Sequence, residues 1–211
     1  VSATIDAAKT GEPLSKYVYG QFIEHLGRCI YGGIWAELLE DRKFFYGVNA
    51  EESPWKAQNQ GDGRVEMTTE NAYAGEQNVR LIPGSGTAGI VQMGIPLVKG
   101  RAYEGRLVMA ATEGINGVRL AVAWGTEREQ AVHVVFSDLS PGFKAYDFSF
   151  TAEGDANPGI FHVGAQGSGR VDIGTVSLMP ADNVRGMRAD TLELLKQLNA
   201  PVYRWPGGNF V

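Results

Sequence analysis

The chain has 211 residues, 44% of them hydrophobic and 20% charged, enough for one large or two small cores of a soluble globular protein. The formal net charge is −5, and its basic residues are scattered rather than clustered, which excludes the electrostatic footprint of a nucleic-acid or anionic-membrane binder and favours a neutral or weakly charged ligand. No apolar run approaches the roughly 18–20 residues that cross a bilayer, and the single cysteine, Cys29, excludes an internal disulfide and a multi-cysteine zinc site.

In chain order, Tyr17-Val18-Tyr19-Gly20-Gln21-Phe22-Ile23-Glu24 reads as a short strand, apolar at most positions, as when both faces are covered. Gly27, Gly32 and Gly33 interrupt it, and Ile34, Leu38 and Phe45 then recur at near-helical spacing, predicting a short helix over 34–44. From about Val48 to Pro180 the pattern becomes alternating runs separated by Gly, Asn, Asp and Pro. Val118, Leu120, Val122 and Trp124 share one face of a strand, and Val132, Val134 and Phe136 one face of another. Tyr146, Phe148 and Phe150 alternate with polar residues, and Val171-Asp172-Ile173 opens a last strand. Such a series, with turn signals at the junctions, predicts an all-β, jelly-roll-like sandwich. The 28 glycines, well above the usual share of about 7%, fit its many turns.

After Pro180 the period becomes helical again. Met187, Leu194, Leu195 and Leu198 predict a helix over 188–199, with Asn199 and Pro201 as its stop, and Pro201-Val202-Tyr203-Arg204-Trp205 follows as a buried strand. Strand, helix, strand is the unit of a parallel sheet. The expected architecture is the start of a (β/α)8 barrel with the sandwich inserted after its first strand: 1–47 the first strand and loop, 48–180 the insert, 181–211 the first helix and second strand. Surface loops tolerate such insertions.

Polar groups concentrate just after the two parallel strands, in Gly20-Gln21-Phe22-Ile23-Glu24-His25-Leu26-Gly27-Arg28 and in Arg204-Trp205-Pro206-Gly207-Gly208-Asn209-Phe210. Barrel enzymes hold their active sites at the C-terminal ends of their strands, so Glu24, Arg204 and Asn209 are expected to converge on one pocket. The pattern from Tyr19 to Ile34, and Arg204-Trp205-Pro206-Gly207-Gly208-Asn209-Phe210-Val211, closely resemble family 51 glycoside hydrolases of the α-L-arabinofuranosidase type. The segment from Trp35 to Arg42 and the sandwich after it look like the members that carry a carbohydrate-binding-like module there.

That resemblance implies that Glu24, Arg204 and Asn209 bind and orient a sugar. Glu24 would accept hydrogen bonds from furanose hydroxyls, Asn209 would donate and accept, and Arg204 would offer its fixed fork of donors. It implies a retaining hydrolase releasing non-reducing terminal α-L-arabinofuranosyl groups. An endo-acting β-glucanase or xylanase of the same family, or a non-catalytic carbohydrate-binding protein, are the alternatives. Retaining chemistry needs two carboxyl groups about 5–5.5 Å apart. The family supplies both from later strands, so no catalytic residue is assigned up to Val211 and these residues alone are expected to be inactive. The expected partners are an arabinose-containing oligo- or polysaccharide and the remainder of the polypeptide, or a second chain, to complete the barrel. A homo-oligomer stays open, and no cofactor, metal, nucleic acid or membrane is expected. A secreted or periplasmic location is favoured over the cytoplasm.

The remaining conspicuous residues have plainer readings. His25 points away from Glu24 along a strand, with a structural hydrogen-bonding role and a pocket role equally open; His133 and His162 read as ordinary strand histidines, and Cys29 as an inert thiol. Trp124 reads as core. Trp55 and Tyr73 read as packed loop aromatics, with stacking on a sugar ring as the alternative.

Overall fold

The computed structural model describes residues 2–125, 127 and 130–205. The chain divides into two compact units, one made of 1–35 with 189–211 and the other of 36–188.

The larger unit is a β-sandwich. Its strands in chain order are β2 (Trp55–Ala57), β3 (Arg64–Thr68), β4 (Asn78–Ile82), β5 (Thr87–Leu97) and β6 (Ala102–Ala111), preceded in the smaller unit by β1 (Gln21–Phe22). There follow β7 (Ile115–Ala123), β8 (Ala131–Phe136), β9 (Lys144–Thr151), β10 (Ala156–Gly167) and β11 (Val171–Pro180). They form two five-stranded antiparallel sheets, β2-β5-β10-β7-β8 and β3-β4-β11-β6-β9, the jelly-roll-like arrangement that the alternation predicts.

The core forms because one alternate set from each strand is apolar and turns inward. Val118, Leu120 and Val122 are fully buried, and Tyr146, Phe148 and Phe150 nearly so, facing Phe161, Val163 and Ala165 of β10 and Ile173, Val176 and Leu178 of β11. Val132, Val134, Phe136 and Trp124 are half-buried against this core. Trp55 is wholly buried, its indole N–H donating to the Asp41 carbonyl at 3.1 Å and its ring meeting Phe44 and Phe161, so sugar stacking at Trp55 is ruled out. Tyr73 is half-exposed and packs on Phe143, ring centres 5.3 Å apart.

The helix expected over 34–44 does not form. A single π-type turn at Ile30–Ile34 contains non-helical Tyr31 and Gly32, and Trp35 is already extended. Beyond it the chain runs beside β11 where β4 has stopped: Leu38 N–H donates to the Leu178 carbonyl and Val176 N–H to the Arg42 carbonyl. Asp41 and Phe44 have positive φ. Their turn delivers Leu39 and Phe44 into the sandwich core, a tertiary gain that overrides the helical spacing. The ends of this unit meet, since Ala36 N–H donates to the Gly186 carbonyl at 2.8 Å.

In the smaller unit β1 pairs in parallel with β12 (Tyr203–Arg204), with α1 (Ala189–Leu198) preceding β12. The expected long first strand is shorter: Lys16–Tyr19 is a 3-10 turn beginning at Ser15, and only Gln21–Phe22 is extended in a ladder. Gly20 is required at the junction, because a methyl group there would come within 2.8 Å of the Val202 side chain. Neither strand is buried as expected; Phe22, Val202 and Trp205 are substantially exposed, since a two-stranded ribbon has little sheet with which to cover them. Helix α1 ends as the sequence indicates, with Asn199 in the left-handed region at φ 46°. No helix among the described residues is long and apolar enough to cross a membrane.

Candidate functional site

Polar groups that a ligand could use gather at several places; in the hollow of about 710 Å³ over β6, β9 and β11 Arg106 is already paired with Asp147, and two others stand out. The first lies at the ends of β1 and β12. The ladder continues one step past Phe22, with Ile23 N–H donating to the Arg204 carbonyl at 2.9 Å. Glu24 follows directly and is half-buried. The Arg204 guanidinium lies 5.3 Å from the centre of the Phe22 ring, a cation–π arrangement that holds the side chain over the ribbon. The Tyr203 hydroxyl donates to the Leu195 carbonyl, fastening β12 to α1. Glu24 and Arg204 thus stand at equivalent ends of paired strands, while Asn209 lies outside the described residues. His25 packs its ring 5.9 Å from Tyr31.

The second place is a groove of about 380 Å³ on the outer face of β2-β5-β10-β7-β8. The strand register lays out its floor. One row runs Val135, Arg119, Gly164, Gly89, with Gln58 completing it through its N–H to the Gly89 carbonyl. On one side lies the row Gly117, Gln166, Thr87, Gln60, and on the other Ala121, His162, Val91. The two central glycines make the trough. The His162 imidazole lies across both, so that a methyl group on either would come within 2.8 Å of the ring. Burial pushes the His162 pKa below its ordinary value, so the ring is neutral at pH 7. Among the described residues its nitrogens have no hydrogen-bond partner, leaving one donor and one acceptor for whatever enters.

The groove therefore offers amides from Gln58, Gln60, Asn116 and Gln166, an imidazole and a guanidinium, with Gly117 and Gly164 between them. No Phe, Tyr or Trp lines it. Such a surface suits a hydroxyl-rich ligand held by hydrogen bonds rather than by stacking. Sequence reading takes His162 for an ordinary strand histidine. The missed signal is the polar phase of β10, in which His162, Gly164 and Gln166 alternate with the buried Phe161, Val163 and Ala165.

Among the described residues no group of three or more His, Cys, Asp or Glu side chains could hold a metal ion.

The sandwich shares its fold with solved carbohydrate-binding modules. The family 22 xylan-binding domain of Paenibacillus barcinonensis Xyn10C superposes with a TM-score of 0.52 at 12% identity, over 72% of this chain and 98% of that one. The module TmCBM61, solved with β-1,4-galactotriose, superposes with a TM-score of 0.50 at 17% identity, over 68% of this chain and 98% of that one. In sequence, the whole chain matches an extracellular exo-α-L-arabinofuranosidase of Streptomyces chartreusis at 29% identity and α-L-arabinofuranosidase 1 of Arabidopsis thaliana at 25%. The resemblance carried by the two motifs thus extends along the full chain, to the N-terminal part of α-L-arabinofuranosidases. The chain spans 26% and 34% of the lengths of these two relatives. No family model matches it.

Proposed function

We propose that this chain is the N-terminal part of a retaining α-L-arabinofuranosidase, in which the small unit forms one wall of the sugar pocket and the sandwich is an inserted carbohydrate-holding module. The observation that carries this reading is the match of all 211 residues to arabinofuranosidases, with both motifs inside the matched span. Two structural features support it. The β1–β12 pair is parallel with a helix before its second strand, the unit from which a (β/α)8 barrel is built. The ends of the sandwich unit meet at the Ala36–Gly186 hydrogen bond, as a module set into a loop requires.

In this reading Glu24, Arg204 and Asn209 orient a terminal arabinofuranosyl group, and the acid/base and nucleophile come from later strands of the barrel. The full polypeptide should release arabinose from a chromogenic α-L-arabinofuranoside, and Glu24→Ala should reduce kcat/KM about 10²-fold or more, as loss of charge-assisted contacts to a bound sugar does. Cleavage of a β-glucan or xylan polymer with no action on the arabinofuranoside would replace this reading with the endo-acting one. Binding without either activity would leave a carbohydrate-binding protein.

A further inference from the structure

The two outer faces of the sandwich treat arginine differently. On β3-β4-β11-β6-β9 the outward arginines are matched to carboxylates. Arg80 donates to both oxygens of Asp172 at 2.7 and 3.0 Å and to Glu70 at 2.9 Å, Arg106 donates to Asp147 at 2.8 Å, and Arg64 to Glu66 at 2.8 Å. Arg80 and Asp172 are register partners, as are Arg106 and Asp147.

On the grooved face Arg119 has Gly164 beside it on one strand and Val135 on the other, neither of which can answer its charge. Among the described residues Arg119 has no ion-pair or hydrogen-bond partner, and it is exposed to the groove. No Asp or Glu lines that groove, in a chain that carries 24 acidic residues against 19 basic ones. The rest of the lining is amide, hydroxyl, imidazole and glycine, with Ala88, Val135 and Ala165 as its apolar members.

We infer that the groove takes a carboxylated sugar, a uronic acid residue whose carboxylate is held in the fork of Arg119 while its hydroxyls meet His162 and the surrounding glutamines. A guanidinium matches a carboxylate with two parallel hydrogen bonds, and the absence of competing acidic groups leaves that fork available. This rests on the reading of the sandwich as a carbohydrate-holding module and adds the ligand class to it.

The test is calorimetric titration of the 211-residue protein with two pairs of probes: trigalacturonate against its fully methyl-esterified form, and a xylo-oligosaccharide bearing one glucuronic acid against the same oligosaccharide without it. At least one acidic probe should bind about tenfold or more tightly than its neutral partner, with the advantage shrinking as salt is raised. Which pair shows it tells whether the uronate belongs to a main chain or to a branch. Arg119→Gln, an exposed substitution whose thermal melt should match the parent, should remove the preference, the acidic probe falling to the affinity of its neutral partner for the same variant. Equal binding of acidic and neutral probes, or a preference that survives Arg119→Gln, would overturn the inference while leaving the sugar-binding role of the module intact. No binding of any probe would overturn both.

Discussion

Glu37 illustrates how one side chain ties a coil segment to a sheet. Its carboxylate accepts from the backbone N–H groups of Leu39 and Leu178, both through Oε1, and from the Ser177 hydroxyl through Oε2, with Arg42 3.7 Å away. The side chain is 3% exposed, and desolvation pushes its pKa above the ordinary glutamate value although each hydrogen bond pulls the other way. A carboxyl group whose folded pKa is raised contributes stability that is complete below its unfolded pKa of about 4.3 and is lost as pH climbs through the folded value. Glutamine can keep Oε1 as the acceptor of both backbone groups and donate to Ser177 from its amide, without an ionisable proton. Relative to the parent, Glu37→Gln should therefore gain stability as pH rises from about 4 towards neutrality. Glu37→Ala should lose about 1–3 kcal/mol for each buried group left without a partner. Urea denaturation of both variants between pH 4 and 8 measures this; a Glu37→Gln difference that is flat or falls with pH would show that the ionised form is the favoured one.

At the scale of elements, legibility followed burial. Strands β7, β8, β9 and the start of β11 could be read because one alternate set is apolar and the other polar, as in Tyr146, Phe148 and Phe150 against Asp147 and Ser149. Strand β10 escaped notice because its outward phase includes glycines that form the groove floor, which dilutes the alternation. The parallel pairing of β1 with β12 was legible from the order of strand, helix and strand. Their flanks were not: Tyr17 to Tyr19 have the composition of a strand, yet a short 3-10 turn holds them. The segment 34–44 misled because Ile34, Leu38 and Phe45 recur at near-helical spacing, whereas the sandwich uses Leu38, Leu39 and Phe44. That segment belongs energetically to the sheet it borders. Phe44 is wholly buried with its ring 5.5 Å from that of Trp55, and Phe44→Ala should cost about 3–5 kcal/mol, the range for removing a core aromatic. The thermal midpoint of the 211-residue protein reads it out. A loss below about 1 kcal/mol would mean that the segment merely lies on the sandwich rather than closing it.

For the whole molecule, overall charge conceals more than it reveals. A net charge of −5 suggests a neutral ligand, but no acidic side chain lines the groove that holds Arg119 and His162. Division of the chain is better read from where its core lies. Every residue of the sandwich core cluster, from Leu39 to Leu178, falls within 36–188, and the Ala36–Gly186 hydrogen bond brings the ends of that unit together. A segment with its own core and adjacent ends meets the physical requirements of an autonomous domain. Residues 36–188 expressed alone should therefore unfold in a single cooperative transition and keep the groove. Residues 48–180, the range marked by strand alternation alone, lack Leu39, Phe44 and Glu37, and with them the strip that pairs beside β11. Removing a core aromatic and a core leucine together should cost more than about 5 kcal/mol, comparable to the whole stability of a marginal domain, so the shorter protein should be largely unfolded. Far-ultraviolet circular dichroism during heating distinguishes the two. Equal midpoints for 36–188 and 48–180 would show that the strip is dispensable, and an unfolded 36–188 would show that the sandwich depends on the rest of the chain to fold.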